Sequence, residues 1–346
     1  MRAVVFEEPG VVRVADVPEP RVREPGDAVV RVTRAAICGS DLHFYHLKAP
    51  VAPGDVLGHE AVGVVESVGD GVSSVAPGDR VIVAFDIACG ACWFCRRGQT
   101  QLCDEAAVLG AGTFGGDLPG TQAERVRVPA ADVNLLRVPE GLDDERALFV
   151  GDVLTTGFYA ASIAGIGPAD AVAVVGMGPV GFFSAQAARA LGARAVYALD
   201  LDADRLALAE RVGAVPVDVS ARHPATALAD VTEGRGADIV IEAVGSPTAF
   251  ESAVNVVRRG GRVVVIGMYA GETIEVQLGV YWARAIELRF AGLCPVHAWW
   301  ERALAEVLSG TIDPTPLISH RLTLEEAPRG YELFDRREAT KVVLAP

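Results

Sequence analysis

Ala171-Val172-Ala173-Val174-Val175 runs directly into Gly176-Met177-Gly178-Pro179-Val180-Gly181, and the reading of this stretch decides the fold of the chain's second half. The apolar run is short enough for a buried strand. An Ala-rich helix follows from Phe182 to Leu191, and Gly192 closes it. Ala195-Val196-Tyr197-Ala198-Leu199 is a second strand, ending at Asp200. The order is therefore strand, G-x-G-x-x-G, helix, strand, acid, which is the pattern of a dinucleotide-binding unit. Gly176 permits the tight turn, Gly178 lets a pyrophosphate approach the backbone, and Gly181 lets helix and strand pack closely. Pro179 and Val180 complete the loop at the helix N-terminus, where N–H groups and the positive dipole end suit phosphates. A Gly-rich βα turn of no function is the competing reading, and the flanking strands and Asp200 tell against it. Asp200 can accept hydrogen bonds from ribose hydroxyls and would repel a 2′-phosphate. Asp202 and Asp204 follow, and the first Arg is Arg205, so the expected cofactor is NAD rather than NADP.

Working outward, Asp238–Gly245 and Arg262–Met268 read as further strands with loops at their carboxyl ends. Ligands of parallel sheets bind outside those ends, which places Val244 and Met268 toward a nicotinamide. Residues 1 to about 150 have a different texture. Short β-branched runs punctuated by Gly and Pro suggest a small barrel or sandwich. Lys341-Val342-Val343-Leu344 is a final strand, and Val296 begins a helix running through Leu308.

The 346 residues are too many for one ordinary core, so two domains are expected. The net charge of −14 argues against a nucleic-acid partner. The uncharged stretch Ala171–Ala188 is broken by Gly176, Gly178, Pro179 and Gly181, so it reads as strand–turn–helix rather than as a membrane span. Met1-Arg2-Ala3-Val4-Val5-Phe6 reads as a strand and not as a secretory signal, and the expected location is the cytoplasm. In that compartment six Cys argue for metal or chemistry rather than disulfides.

Cys89, Cys92, Cys95 and Cys103 have the spacing C-x2-C-x2-C-x7-C. Four thiolates this close can close a tetrahedral shell around Zn²⁺ with no open position, the structural kind of site. An Fe–S cluster also uses four Cys, but this spacing matches neither common ferredoxin pattern. Cys38-Gly39-Ser40-Asp41-Leu42-His43 and Gly58-His59-Glu60 form a second candidate. Cys38 and His59 offer the S and N donors that zinc favours, although a buried Cys and a core His are the alternative.

Together these motifs resemble the zinc-dependent alcohol dehydrogenases of the medium-chain dehydrogenase/reductase superfamily. The most specific element is Gly58-His59-Glu60-x2-Gly63-x5-Gly69-x2-Val72. The resemblance implies an α/β protein with a GroES-like β-rich catalytic domain (1–153 and 291–346, with a structural-zinc lobe at about 89–103) and a Rossmann, doubly wound parallel-sheet coenzyme domain (154–290). It implies two zincs per chain and NAD. Cys38, His59 and Asp152 would hold catalytic zinc, with Asp152 equally readable as a helix N-cap. Glu60 would approach the metal, and Asp41 would orient the ligating His. Ser40 and His43 would relay a proton, and Thr156 would pack on the nicotinamide. Lys341 would contact the pyrophosphate, unless it is a solvated charge at a strand end. The implied reaction moves a hydride between an alcohol and NAD, in a cleft between the domains, with aldehyde or ketone as the other partner.

Phe85 falls where the family lines its pocket, and Tyr45, Phe114, Tyr269, Trp282, Trp299 and Trp300 are candidate aromatic walls for an apolar alcohol. Alternatives are a polyol or threonine dehydrogenase, an aldehyde dismutase that retains NAD, and a zinc- and NAD-binding protein without turnover. A homodimer or homotetramer is expected by analogy, with no membrane partner.

Overall fold

Five consecutive buried residues make Ala171–Val175 an interior strand of a parallel sheet. Such strands read as continuous apolar runs because both faces are covered. Ala195–Asp200 pairs with it on one side and Ala237–Glu242 on the other. The sheet has six strands, in the order Val215–Asp218, Ala195–Asp200, Ala171–Val175, Ala237–Glu242, Val257–Val265, Glu287–Phe290. By sequence order within the sheet this is 3-2-1-4-5-6, the doubly wound dinucleotide arrangement. The topological switch lies between Ala171–Val175 and Ala237–Glu242, next to the Gly loop.

The computed structural model describes residues 1–271 and 273–346, except for the side chain of Phe114. Its contacts divide the chain into two compact units. One is Thr156–Cys294 with Gly310–Ile312, which contains the parallel sheet. The other is Met1–Thr155 with Pro295–Ser309 and Asp313–Pro346.

That second unit is built mainly on antiparallel pairing, with His320–Thr323 running parallel to Val342–Ala345. Ala28–Ile37 is its central strand, flanked by Glu60–Val68 and Val342–Ala345 and also paired by Arg125–Val128. Arg80–Val83 and Leu135–Arg137 extend the sheet one way, and His320–Thr323 the other. The C-terminal strand therefore lies beside the strand that ends just before Cys38. The α/β fold class expected above, β-rich and Rossmann together, is the observed one.

Backbone proximity explains two glycines of the loop. A Cβ on Gly181 would lie 1.8 Å from the Gly176 carbonyl oxygen, so the helix Pro179–Ala190 can approach the strand only through glycine. Gly176 has φ +89°, a left-handed conformation that glycine adopts without strain. Gly178 differs: it caps the helix in an extended conformation, and its Cβ would meet only the tip of Arg205 at 4.0 Å. Pro179 occupies the first helical turn, where a missing N–H costs nothing. Gly181→Ala should therefore destabilise the protein by about 1–3 kcal/mol through overpacking. Gly178→Ala should melt like the parent while losing dinucleotide affinity. Thermal melts and a cofactor titration on both variants check this, and equal melting of the two would remove the packing argument.

Candidate active site

The strand Ala28–Ile37 delivers Cys38, and the chain then turns into the short helix Asp41–Tyr45. The strand Glu60–Val68 begins directly after His59. Asp152 follows the 3₁₀ turn Phe149–Gly151, whose Gly151 carbonyl accepts the Phe85 N–H. These elements bring Cys38, His59, Glu60 and Asp152 together, with one ligand atom of each within 4.8 Å of the others, all four buried. His59 Nε2 lies 3.3 Å from Asp152 Oδ2, and Cys38 Sγ lies 3.9 Å from the same oxygen. Ser40 Oγ is 3.2 Å from His59 Nε2. Asp152 thus aims its carboxylate at the cluster. His43 lies on that short helix, three residues beyond its N-cap Ser40, and is half-buried.

A separate carboxylate faces the Nδ1 side of His59. Asp41, fully buried, places Oδ1 3.2 Å from His59 Nδ1. Its Oδ2 accepts the Cys38 N–H at 2.9 Å and the Gln122 side-chain amide at 3.1 Å. Gln122 in turn donates to the Ala36 carbonyl and accepts the Tyr331 hydroxyl at 2.9 Å. A Cβ on Gly58 would sit 2.4 Å from Gln122 Cγ, so the glycine beside His59 makes room for this network. Gln122 and Tyr331 were not among the sequence candidates. They come from distant parts of the chain, and no local pattern marks them.

Lys341 corrects an expectation. It is fully buried, and its ammonium is hydrogen-bonded to the Glu60 carboxylate. It is therefore not a solvated strand-end charge, and an ammonium enclosed against Glu60 presents no free face to a pyrophosphate. Burial opposes its charge, but Glu60 and Cys38 raise its pKa and keep it charged. Burial likewise works against a charged His59, yet Asp41, Asp152 and Cys38 outweigh it and hold the ring's pKa well above the ordinary value. Burial pushes the Cys38 thiol up, and Glu60 adds to this. A divalent cation entering this site would displace those protons. The S, N and O donors fit zinc.

Cys89, Cys92, Cys95 and Cys103 also converge, their sulfurs within 4.8 Å of one another. Four thiols with no carboxylate or imidazole suit a closed tetrahedral zinc. The Cys95 backbone N–H reaches Cys92 Sγ at 3.4 Å and helps to lower the Cys92 thiol to about 6, while burial lifts Cys95 to about 12.

In the parallel-sheet unit, Asp200 Oδ2 accepts the Met177 N–H at 2.6 Å, and Oδ1 accepts from Leu201 and Asp202. The acid at the strand end is thus tied to the Gly loop, with part of its acceptor capacity left for a hydroxyl. Gly176, Gly178, Pro179, Val180 and Gly181 surround that point, and Gly178 leaves the space a Cβ would fill. Val244, half exposed, and Met268 lie just past the carboxyl ends of their strands. Thr156 is buried in the helix Val153–Ile163.

The candidate aromatic wall is reduced by the structure. Phe85 meets the His59 ring edge-on at 6.3 Å. Tyr45 packs at a tilt against Tyr331 in the core, Trp300 is buried against His297, and Trp282 is 85% exposed. Tyr269 bonds Glu242, and the side chain of Phe114 lies outside the described residues.

A doubly wound dinucleotide sheet joined in one chain to a β-rich unit with a mixed thiol, imidazole and carboxylate cluster defines an oxidoreductase. Comparison with known proteins fixes the family. The Alcohol dehydrogenase GroES-like domain matches residues 24–140, and the Zinc-binding dehydrogenase domain matches 179–309. An uncharacterized zinc-type alcohol dehydrogenase-like protein of Bacillus subtilis is 37% identical over the whole of both chains. Alcohol dehydrogenase TADH from Thermus sp. ATN1 superposes with a TM-score of 0.95 at 46% identity, covering 100% of this chain and 99% of that one. A structure from Sinorhizobium meliloti 1021, described as a zinc-binding dehydrogenase bound to NADP, is 32% identical with a TM-score of 0.87, covering 100% and 99%. The chain belongs to the zinc-type alcohol dehydrogenases of the medium-chain dehydrogenase/reductase superfamily.

Metal analysis should find about two zincs per chain. Asp152→Ala should lower one occupancy and leave the four-Cys zinc, and Cys95→Ser should do the reverse. Full zinc in Asp152→Ala would show that Asp152 is no ligand.

Proposed function

We propose that this protein is an NAD-dependent alcohol dehydrogenase with one catalytic and one structural zinc, and that its substrates are small alcohols and the matching carbonyl compounds. The observation that carries this reading is the buried meeting of Cys38, His59, Glu60 and Asp152, with Ser40 Oγ at hydrogen-bond distance from His59. Cys38, His59 and Asp152 would hold the metal, with Glu60 and its Lys341 partner beside them. Bound zinc supplies Lewis acidity, and the nicotinamide takes or gives the hydride.

The chain's own residues then have separable tasks. Asp41 holds His59 through Nδ1, so that Nε2 points into the cluster. Ser40 would accept the proton of a substrate hydroxyl, the nicotinamide ribose hydroxyl would pass it on, and His43 would release it to solvent. Phe85, edge-on to His59, limits the size of what can lie there and favours an apolar substituent. The Gly176–Gly181 loop cradles the pyrophosphate at the helix N-terminus, and Asp200 favours ribose hydroxyls over a 2′-phosphate. Thr156, Val244 and Met268 pack about the nicotinamide.

Zinc content and NADH formation, measured on one sample across primary, secondary, aromatic and polyol alcohols, test this reading. His59→Ala should lose turnover by orders of magnitude and still bind NAD⁺. Asp200→Ala should narrow the preference for NAD⁺ over NADP⁺. Wild-type turnover in His59→Ala would refute metal-assisted catalysis, and an unchanged cofactor ratio would release Asp200 from its role.

A second copy of this chain is the proposed partner. The strand Glu287–Phe290 is an edge of the parallel sheet, and all four of its residues are exposed, with Phe290 at 66%. Leu278, Val280 and Trp282, on the helix Leu278–Ala283, add exposed apolar surface in the same unit. Edge strands with free backbone groups and apolar side chains need cover. Light scattering should give a dimer or tetramer that Phe290→Arg weakens. A monomeric wild type would remove the proposal.

A further inference from the structure

The strand Ala237–Glu242 ends in an acid that is fully buried. Burying a carboxyl group without partners is costly, so this position calls for hydrogen-bond donors. They come from two loops. Oε1 accepts the N–H groups of Val244 and Gly245, both at 2.8 Å. These belong to the loop that directly follows the strand. Oε2 accepts the Tyr269 hydroxyl at 3.2 Å. Tyr269 lies past the end of the neighbouring strand, Val257–Val265. Burial raises the pKa of Glu242, and the Gly245, Val244 and Gly267 N–H groups act against that together with the Tyr269 hydroxyl.

The two loops touch through their backbones. A Cβ on Gly245 would lie 2.0 Å from the Met268 carbonyl oxygen. A Cβ on Gly267 would lie 2.1 Å from the Gly245 nitrogen and 2.8 Å from Glu242 Oε2. The Ile266 and Gly267 N–H groups donate to the Glu242 backbone carbonyl at 2.9 and 3.1 Å. Glu242 therefore meets the second loop with its backbone as well as its side chain. On the other side, a Cβ on Gly176 would lie 2.3 Å from Val244 Cγ2, so Val244 borders the Gly loop. The Val244 N–H is one of the two groups that Oε1 holds.

We propose that Glu242 is a positioning residue, whose side chain clamps the Val244–Gly245 loop to the Gly267–Tyr269 loop and so sets Val244 and Met268 against the nicotinamide. The proposal rests on Val244 and Met268 facing that ring. A cap for its own loop alone is the competing role, and side-chain length separates the two. An Asp side chain commonly bonds the N–H two residues ahead of it. Glu242→Asp can therefore still cap the loop, but it withdraws from Tyr269 by one methylene. The clamp needs reach rather than charge. Glu242→Gln has the full length, and its oxygen can stay on Val244 and Gly245. Its amide N–H can then donate to the Tyr269 hydroxyl, whose own hydrogen has the Ser246 carbonyl as an acceptor at 3.3 Å.

Calorimetric titrations of the metal-loaded protein with NADH and with ADP-ribose, which lacks the nicotinamide, test this. The wild type should bind NADH more tightly than ADP-ribose. Equal affinities would refute the placement of Val244 and Met268 at the nicotinamide, and the proposal with it. Glu242→Asp should weaken NADH about tenfold relative to ADP-ribose. Glu242→Gln should keep the wild-type ratio of the two affinities within about threefold. Tyr269→Phe removes the donor to Oε2 and keeps the ring, so it should shift the ratio in the same direction as Glu242→Asp. It decides the matter should Glu242→Asp fail to fold in thermal melts.

Three results would overturn the clamp. One is a wild-type ratio in Glu242→Asp or, where that variant is unfolded, in Tyr269→Phe. Another is a parallel loss of NADH and ADP-ribose in a folded Glu242→Asp, which a merely structural role would give. The third is a ratio that falls in Glu242→Gln and holds in Glu242→Asp, which would make charge the cause.

Discussion

Four potential metal ligands buried within a few ångströms of one another are the constraint on which the β-rich unit depends. Cys38, His59, Glu60 and Asp152 carry a thiol, an imidazole and two carboxylates out of water, and Asp41 adds a third carboxylate behind them. Burying one such group without compensation costs several kcal/mol, and the cost rises when like charges are neighbours. Much of the surrounding architecture supplies compensation. Lys341 comes from the start of the C-terminal strand to meet Glu60. Gln122 and the Cys38 backbone hold Asp41, and Tyr331 holds Gln122 from the helix Ala327–Asp335. The antiparallel sheet makes this possible, since its central strand Ala28–Ile37 lies between the strands that begin at Glu60 and just after Lys341.

The two cysteine-containing clusters meet the same cost in different ways. The four-Cys cluster comes from residues 89–103, a stretch with little regular structure, and three of its four cysteines are only half-buried. Its thiols need little from the rest of the fold, because one cation can satisfy all four. The mixed cluster draws on residues from 38 to 152 and is oriented by groups as far along as 341. One site can hold a local lobe together, and the other can exist only after the sheet has formed.

This difference also explains how much was legible in the sequence. The Gly176–Gly181 loop, the four-Cys spacing and the helix from Val296 to Leu308 are local patterns, and each occupies the place its spacing indicates. Cys38 and His59 were legible because each abuts an apolar strand. Gln122 and Tyr331 were not, since a Gln and a Tyr acquire meaning only from a partner more than 80 residues away. Tyr45, Trp300 and Trp282 were misleading for the opposite reason. Their type suggests a pocket wall, but core packing and open surface claim Tyr45, Trp300 and Trp282.

Lys341 shows how composition can carry a signal that motifs do not. The chain draws its positive charge almost wholly from Arg, and its only lysines are Lys48 and Lys341. Lys48 is exposed, where either residue would serve. Lys341 is fully enclosed, against Glu60 and with its ammonium 5.9 Å from the centre of the Phe149 ring. An arginine there would bring a larger planar group with five donors into a space that offers it few acceptors. A compact ammonium needs only three, and the Glu60 carboxylate and the aromatic face meet much of that demand. In a chain that otherwise uses arginine, a buried lysine marks a place where shape rather than charge chose the residue, and that place is the edge of the metal-ligand cluster.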